Sequence, residues 1–407
     1  MIGGLSWYVY ALIILVAAVI AYLCVPLSIK LSVKLKAIDQ PDKRRINATP
    51  TPRLGGIALF VGVAVTVGVL GLVAFFANDA ITIKSLHSNI NYPLVFLAAL
   101  IMFTVGFLDD LFDFHASIKF AGQVVAACVA TAGGILITRF GAPFISQTIE
   151  LGWLAYPITI LYLVAFVNII NLIDGLDGLA AGIVSISAIA LVVLSLSRGA
   201  IDAAILGLAL IGACFAFLRF NFHPAKVFMG DCGAQFLGFA LGIVSLLSIA
   251  RSPAVVSLLV PVVIAGIPVL DTLAAIIRRI HAKKPIYKAD NEHIHHRFLD
   301  FGFGQRTSVL VMYAISALLA LCSCLLVGYT GPIRIVVTII IIAIVALLIW
   351  FLGLPKSVLR HYYYQRASKK GEDASEDADD EGTVASSSGA EAPSSPEADT
   401  LSSEAEE

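Results

Sequence analysis

Residues 152–197 read GWLAYPITILYLVAFVNIINLIDGLDGLAAGIVSISAIALVVLSLS, two apolar runs on either side of a polar hinge. Each run, 152–170 and 179–197, has about the length, roughly 20 residues, that carries a helix across a bilayer. Within Asn168-Ile169-Ile170-Asn171-Leu172-Ile173-Asp174-Gly175-Leu176-Asp177-Gly178 a polar residue returns every third position. On a helix Asn168, Asn171, Asp174 and Asp177 would form one slowly drifting stripe about 13 Å long, at about 1.5 Å per residue. Gly175 and Gly178 each disfavour helix by about 1 kcal/mol, so the stripe is expected to end in a turn. Amides and carboxylates so arranged suit a hard cation such as Mg2+, which takes oxygen ligands and keeps waters for a substrate phosphate.

Runs of the same kind recur on both sides. Eleven spans are expected, at 7–31, 55–76, 92–108, 119–138, 152–170, 179–197, 202–219, 234–250, 254–277, 308–329 and 332–353. Gly133, Gly134, Gly152 and Pro157 weaken the ends of the fourth and fifth. The first run has no basic segment before it and is too long for a cleaved secretory signal, so it reads as a retained membrane helix. Composition agrees: 59% of the 407 residues are hydrophobic and 14% charged, against about 45–50% and about 25% in soluble domains. The expected fold is therefore all-α, a polytopic integral membrane helical bundle of about eleven transmembrane helices with its active-site loops on the cytoplasmic side. It divides into a transmembrane domain, 1–355, a basic juxtamembrane segment, 356–370, and a disordered acidic tail, 371–407.

The net charge of -1 conceals that division, because 13 of the 28 acidic residues lie in Gly371–Glu407 and the body before it carries +12. The tail has no aromatic residue and too little apolar surface to offset the entropy of ordering. Cysteines 24, 128, 214, 322 and 324 sit in apolar runs and Cys232 in a loop, which suggests neither disulfides nor a zinc knuckle. Alternate loops hold 22 and 5 of the 27 Lys and Arg residues. Cationic loops stay in the cytoplasm, so the N-terminus is expected outside and the tail inside. Asp79, Glu150 and Asp202 then fall outside. The remaining acidic residues of the body fall at or near the cytoplasmic face, where five loops bring carboxylates, amides, cations and histidines together.

Asp109, Asp110 and Asp113 close the third span as a concentrated negative patch, with Lys119 as its counter-charge; such acids are costly in a membrane unless paired, hydrated or bound to a cation. In Asn221-Phe222-His223-Pro224-Ala225-Lys226-Val227-Phe228-Met229-Gly230-Asp231-Cys232-Gly233, an Asp between glycines precedes a helix, whose N-terminal amides favour phosphate. Asp290-Asn291-Glu292-His293-Ile294-His295-His296-Arg297 lacks the spacing of a helical zinc protease; its histidines and Arg can donate to phosphate or sugar oxygens. Hard-metal ligands, cationic donors and a lipid-embedded body point to phosphoryl chemistry on a substrate that is itself part lipid. A secondary transporter is the alternative of another class, but its charges would lie near the bilayer midplane in two matching halves. An inactive scaffold is a third, opposed by the intact acidic positions.

At these residues the chain resembles the polyprenyl-phosphate N-acetylhexosamine-1-phosphate transferases, relatives of the phospho-MurNAc-pentapeptide transferases. The resemblance runs from about Asp39 to Phe298. It rests on Pro-Arg-Leu-Gly-Gly at 52–56, Asp109-Asp110 with Lys119 and Gln123, the run from Asn171 to Gly178, Phe228-Met229-Gly230-Asp231, and His293-Ile294-His295-His296-Arg297. It implies that undecaprenyl phosphate attacks the β-phosphorus of a UDP-N-acetylhexosamine in a bacterial plasma membrane, giving the lipid diphosphate-sugar and UMP. It also implies Mg2+, with Mn2+ as a substitute, held by Asn171 and Asp231 with Asp174 nearby. Asp109, Asp110 and Lys119 would handle the lipid phosphate. Asp177, Asn221 and Phe228 would form the uridine pocket, and His293, His295, His296 and Arg297 would meet the diphosphate or sugar. The His-rich string resembles the N-acetylglucosamine branch, hence UDP-GlcNAc as donor, with the MurNAc-pentapeptide donor as the alternative. Asn47, Cys232 and Ala234 depart from the family's usual His, Thr and Ser. No nucleic acid is expected as partner, and a homodimer is.

Overall fold

In a computed structural model of the chain, the residues described are 6–40, 50–76, 90–141, 148–249, 259–281, 298, 302–329 and 331–351. The chain divides into Met1–Leu354 and Pro355–Glu407. The second unit, with the basic segment and the acidic tail, lies outside the described residues, as do His293, His295, His296 and Arg297.

The helices are α1 (Trp7–Lys34), α2 (Gly56–Phe76), α3 (Tyr92–Phe112), α4 (Ala116–Ala132), α5 (Ala155–Ile173), α6 (Leu179–Ser197), α7 (Ile201–Asn221), α8 (Gly230–Ile249), α9 (Leu259–Ile264), α10 (Gly266–His281), α11 (Gln305–Gly328) and α12 (Pro332–Phe351). Among the described residues nine of the helical segments are long and apolar enough to cross a membrane, and α4 is a shorter apolar helix. This is a multi-pass membrane bundle. The central helices are α6, α7 and α8, with 78%, 83% and 89% of their spans buried, whereas α12 buries 17%. Helices that are apolar all round can be enclosed on every side or face lipid, so burial rather than hydropathy separates centre from rim. Around that centre α1 packs on α7 and α2, α3 on α8 and α4, α5 on α8, and α11 on α6.

Two expected spans differ. The fourth stops at Ala132 because Gly133 and Gly134 follow, Gly134 at a φ of 93°, and a β-hairpin of β3 (Arg139–Gly141) and β4 (Thr148–Glu150) takes its place. The ninth is two pieces, α9 and α10. Pro268 has no N–H to give the Ile264 carbonyl, so the ladder breaks there, while Ala265 N still donates to Pro261 O and Val269 N to Ala265 O. Segment α10 also carries buried Asp271, Arg278 and Arg279. All six cysteines are free.

The bundle has one end stitched by main chain. Strands β1 (Ile38–Asp39) and β2 (Thr51–Pro52) pair antiparallel, Ile38 with Pro52 and Asp39 with Thr51. Phe228 N then donates to Pro52 O at 2.8 Å, Gly55 N to Phe228 O at 2.9 Å and Gly56 N to Met229 O at 2.8 Å. A side chain at Gly56 would collide with the backbone of Gly233, so glycine is required where α2 meets α8. At the opposite end the Tyr92 hydroxyl donates to Asp202 at 3.0 Å.

Candidate active site

Helix ends gather at the stitched end, among them the starts of α2, α4, α6 and α8 and the finishes of α3, α5 and α7. The site is built from them. Asp109 and Asp110 continue α3 one turn beyond the expected end of its span, and they are only 1% and 2% exposed. Burial of two adjacent carboxylates demands partners for both.

Asp109 Oδ1 accepts from Phe114 N at 2.8 Å, and its Oδ2 forms an ion pair with Lys119. The Lys119 ammonium lies 3.4 Å from Asp231 Oδ2 as well. Asp231 Oδ1 in turn accepts from Asn171 Nδ2 at 2.5 Å. Four sequence-predicted residues, from α3, α4, α5 and α8, are thus joined in one chain of contacts. Asp109 and Asp231, 122 positions apart, lie at the same end of the bundle and share one cation.

Asp110 turns elsewhere. Its two oxygens accept the amides of Asp231 at 2.9 Å and Cys232 at 3.0 Å, so it caps α8 from another helix and places a negative charge at the positive end of the dipole. The glycine-flanked start of α8 was expected to receive a substrate phosphate. In the folded chain those two amides are engaged by Asp110 instead. Gly230, at a φ of 67°, makes the approach possible: an added Cβ would lie 2.6 Å from Asp110 Oδ2. Arg53 supports the arrangement from below, donating from Nε to Asp110 O at 2.9 Å and from Nη2 to Asp113 at 3.1 Å, where α3 ends in a left-handed residue.

The polar stripe breaks where glycine predicted a turn. Helix α5 ends at Ile173, Asp174 is its half-buried C-cap, and the turn runs to Gly178. Burial pushes the Asp174 carboxyl up to about 8, helped by the negative charges of Asp231, Asp110 and Asp177. Asp177 is buried and holds the loop after α7: His223 Nδ1 lies 2.8 Å from its Oδ2, and Ala225 N donates to the same oxygen at 3.1 Å. Asn221 is a staple, accepting from Gly178 N at 3.0 Å and donating to Val227 O at 2.9 Å. Both residues expected in a uridine pocket therefore hold the loop, and Phe228, its ring partly exposed, is the member of that trio free to stack.

Sequence reasoning missed three supports: Arg53 as the cap of α3, His223 on Asp177, and Tyr313 of α11, whose hydroxyl donates to Gly178 O at 2.5 Å. Arg53 and His223 sat inside motifs already singled out. Tyr313 lies in an apolar run 135 positions from its partner, and nothing local signals it.

Among the described residues no three His, Cys, Asp or Glu side chains are disposed to hold a metal by themselves. The donors present are hard oxygens of the kind Mg2+ takes from one or two carboxylates plus substrate. Asp231 is one. Asn171 becomes another if its amide turns over and presents Oδ1 in place of Nδ2. The carboxylates of Asp231, Asp110 and Asp177 gathered around Asp174 favour a cation there.

A transferase-type site at one end of a membrane bundle agrees with the family. Residues 92–249, which carry Asp109 through Asp231, match glycosyl transferase family 4, and the chain belongs to that family. It is 37% identical over 363 residues to the probable undecaprenyl-phosphate N-acetylglucosaminyl 1-phosphate transferase of Bacillus subtilis (strain 168), covering 88% of this chain and 98% of the relative. It is 34% identical over 333 residues to the decaprenyl-phosphate N-acetylglucosaminephosphotransferase of Mycobacterium leprae (strain TN), covering 74% and 80%. A phospho-N-acetylmuramoyl-pentapeptide-transferase of Desulforamulus reducens is 32% identical over 332 residues, covering 77% and 93%.

Proposed function

We propose that the chain transfers N-acetylglucosamine-1-phosphate from UDP-GlcNAc to undecaprenyl phosphate and releases UMP. The observation that carries this reading is the Lys119 ammonium held between Asp109 and Asp231 beside Asn171, in a family whose Bacillus relative is named a probable undecaprenyl-phosphate N-acetylglucosaminyl 1-phosphate transferase. A lipid phosphate monoester has a second pKa near about 6, so its oxygen is already nucleophilic at neutral pH. That oxygen forms a bond to the β-phosphorus, the bond from this phosphorus to the bridging oxygen breaks, and UMP departs with the electron pair.

The chain's contribution is positioning and charge. Lys119 holds a phosphate oxygen and balances charge as the bond changes occur. Asp109 aims Lys119, while Asp110 fixes the helix end that bears Asp231. The loop pinned by Asp177 and Asn221 presents Phe228 to the uracil face. Asn171 and Asp231, with Asp174 beside them, would hold Mg2+, or Mn2+ in its place; the ion supplies charge neutralisation across the diphosphate when bound. His293, His295, His296 and Arg297 would grip the diphosphate or sugar. The excess of Lys and Arg in one set of loops favours a cytoplasmic site, and broad lipid-facing surfaces favour a homodimer.

The test is purified protein in lipid nanodiscs with undecaprenyl phosphate and, separately, UDP-GlcNAc and UDP-MurNAc-pentapeptide, with the lipid product identified by mass. Mg2+-dependent UMP release with GlcNAc alone is expected. Turnover with the pentapeptide donor alone overturns the sugar assignment, and solute flux without UMP overturns the enzyme.

A further inference from the structure

One turn deeper in the bundle than Lys119, Asn171 and Asp231 stands a second set of polar side chains, regularly spaced from the first. Gln123 follows Lys119 by four residues on α4, Gln235 follows Asp231 by four on α8, and Asn168 precedes Asn171 by three on α5. Residues three or four apart share a helix face, so each amide lies next to a member of the site on the same helix, on the side away from the helix end. The amides bond to one another. Asn168 Nδ2 donates to Gln123 Oε1 at 2.7 Å, and Gln123 Nε2 donates to Gln235 Oε1 at 3.4 Å. Gln123 and Gln235 are 3% and 1% exposed, in an interface otherwise filled by residues such as Ala126, Leu163, Val167 and Phe239.

Stability alone accounts poorly for three amides here. Interhelical hydrogen bonds in membranes average only about 0.6 kcal/mol, and apolar side chains would fill the same space without the cost of burying polar groups. Helix packing supplies a better reason. Helix α4 packs on α3 and α5, and α8 packs on α3 and α5, but α4 and α8 share little direct contact. Yet Lys119 of α4 must meet Asp231 of α8, and it does so at 3.4 Å. A slip of one residue moves a side chain about 1.5 Å along the axis and about 100° around it. Apolar neighbours tolerate small slips, whereas a hydrogen bond weakens steeply with distance and angle.

We propose that Gln123, Asn168 and Gln235 form a register-setting layer that holds Lys119, Asn171 and Asp231 in their working positions. They are positioning residues and touch no substrate. The inference rests on the proposed transfer reaction for its kinetic consequence, and its structural consequence stands apart from it.

The test uses the full chain in lipid nanodiscs with Gln123→Met, Gln235→Met and the double variant; methionine keeps side-chain length and removes the amide. The kinetic expectation is a fall in kcat of about ten- to hundredfold, as for a small misplacement of reacting groups. KM for UDP-GlcNAc and for undecaprenyl phosphate stays within about twofold of wild type, and the double variant is no worse than either single one. In a cryo-EM structure of Gln123→Met, the Lys119 to Asp231 separation opens beyond about 4 Å, the limit of an ion pair. A lowered thermal midpoint with wild-type kcat per folded molecule overturns the inference, as do additive losses or a Lys119 to Asp231 distance that stays at 3.4 Å. If the wild-type protein transfers neither sugar, the proposed function fails while the measured separation still decides this inference.

Discussion

Asp110→Asn separates two roles that the same carboxylate could play. The family resemblance implies a role for Asp110 at the lipid phosphate, whereas the structure spends both its oxygens on the first turn of α8 at 2.9 and 3.0 Å. Asparagine retains one acceptor and turns a donor toward the other amide. The loss is one hydrogen bond to a charged group, about 1.5–3 kcal/mol, plus the attraction of a negative charge to the helix N-terminus, up to about 2 kcal/mol. The expected destabilisation is therefore about 2–5 kcal/mol, on the order of 5 °C or more in thermal midpoint. Because Asp231 is the first residue released, kcat falls with it and KM for undecaprenyl phosphate does not change. The assay is a thermal-inactivation curve alongside steady-state kinetics with the lipid acceptor varied. A raised KM for the lipid at an unchanged midpoint refutes the cap and returns Asp110 to the substrate.

Four further outcomes are expected. Lys119→Met removes the cation shared by Asp109 and Asp231, and transfer measured by UMP release falls by about 10²–10³-fold in protein that still elutes as a folded species. Asn171→Ala and Asp231→Ala abolish Mg2+-dependent turnover, which a Mg2+ titration checks; wild-type turnover in either removes that residue from the ion. Gly230→Ala forces a side chain into left-handed backbone at a φ of 67°, costing roughly 1–2 kcal/mol for the backbone alone, and drives its Cβ into the Arg53 carbonyl oxygen, so the thermal midpoint falls by more than the backbone strain accounts for. Finally, Asp174 is raised to about 8, so between about pH 4 and pH 8 the folded protein binds a proton that the unfolded chain releases. With divalent ions chelated, stability should fall as pH rises through that window. Asp174→Asn should flatten the fall, and thermal midpoints measured from pH 5 to pH 9 check both.

The helices were legible because an apolar run of bilayer length has few other solutions. Their ends were not. Helix α3 continues through Asp109 and Asp110 to Phe112, where hydropathy alone stops at 108, because Lys119 and the amides of α8 compensate the two buried charges. Helix α8 starts at Gly230 rather than 234 for the same reason, since its cap comes from 121 residues away. The fracture between α9 and α10 was written in Pro268, but the run was apolar enough to mask it. Within the site the identity of the residues was readable and their division of labour was not. Asn168, Asn171, Asp174 and Asp177 have one spacing in sequence and four different partners or surroundings in space. Asp177 and Asn221 read as binding groups because the family resemblance implies a uridine pocket there. The fold adds that both also hold the chain's own loop.

The junction of residues 52–56 with 228–229 is made of peptide groups alone. Such a seam places few demands on side-chain identity beyond its glycines, so it can survive long divergence while the residues it displays are exchanged. Cys232 and Ala234, 0% and 1% exposed, lie packed inside that frame, and the Cys232 thiol donates to Met229 O within it. Because the seam joins peptide to peptide, a change in a side chain displayed beside it leaves the meeting of the two helix starts in place.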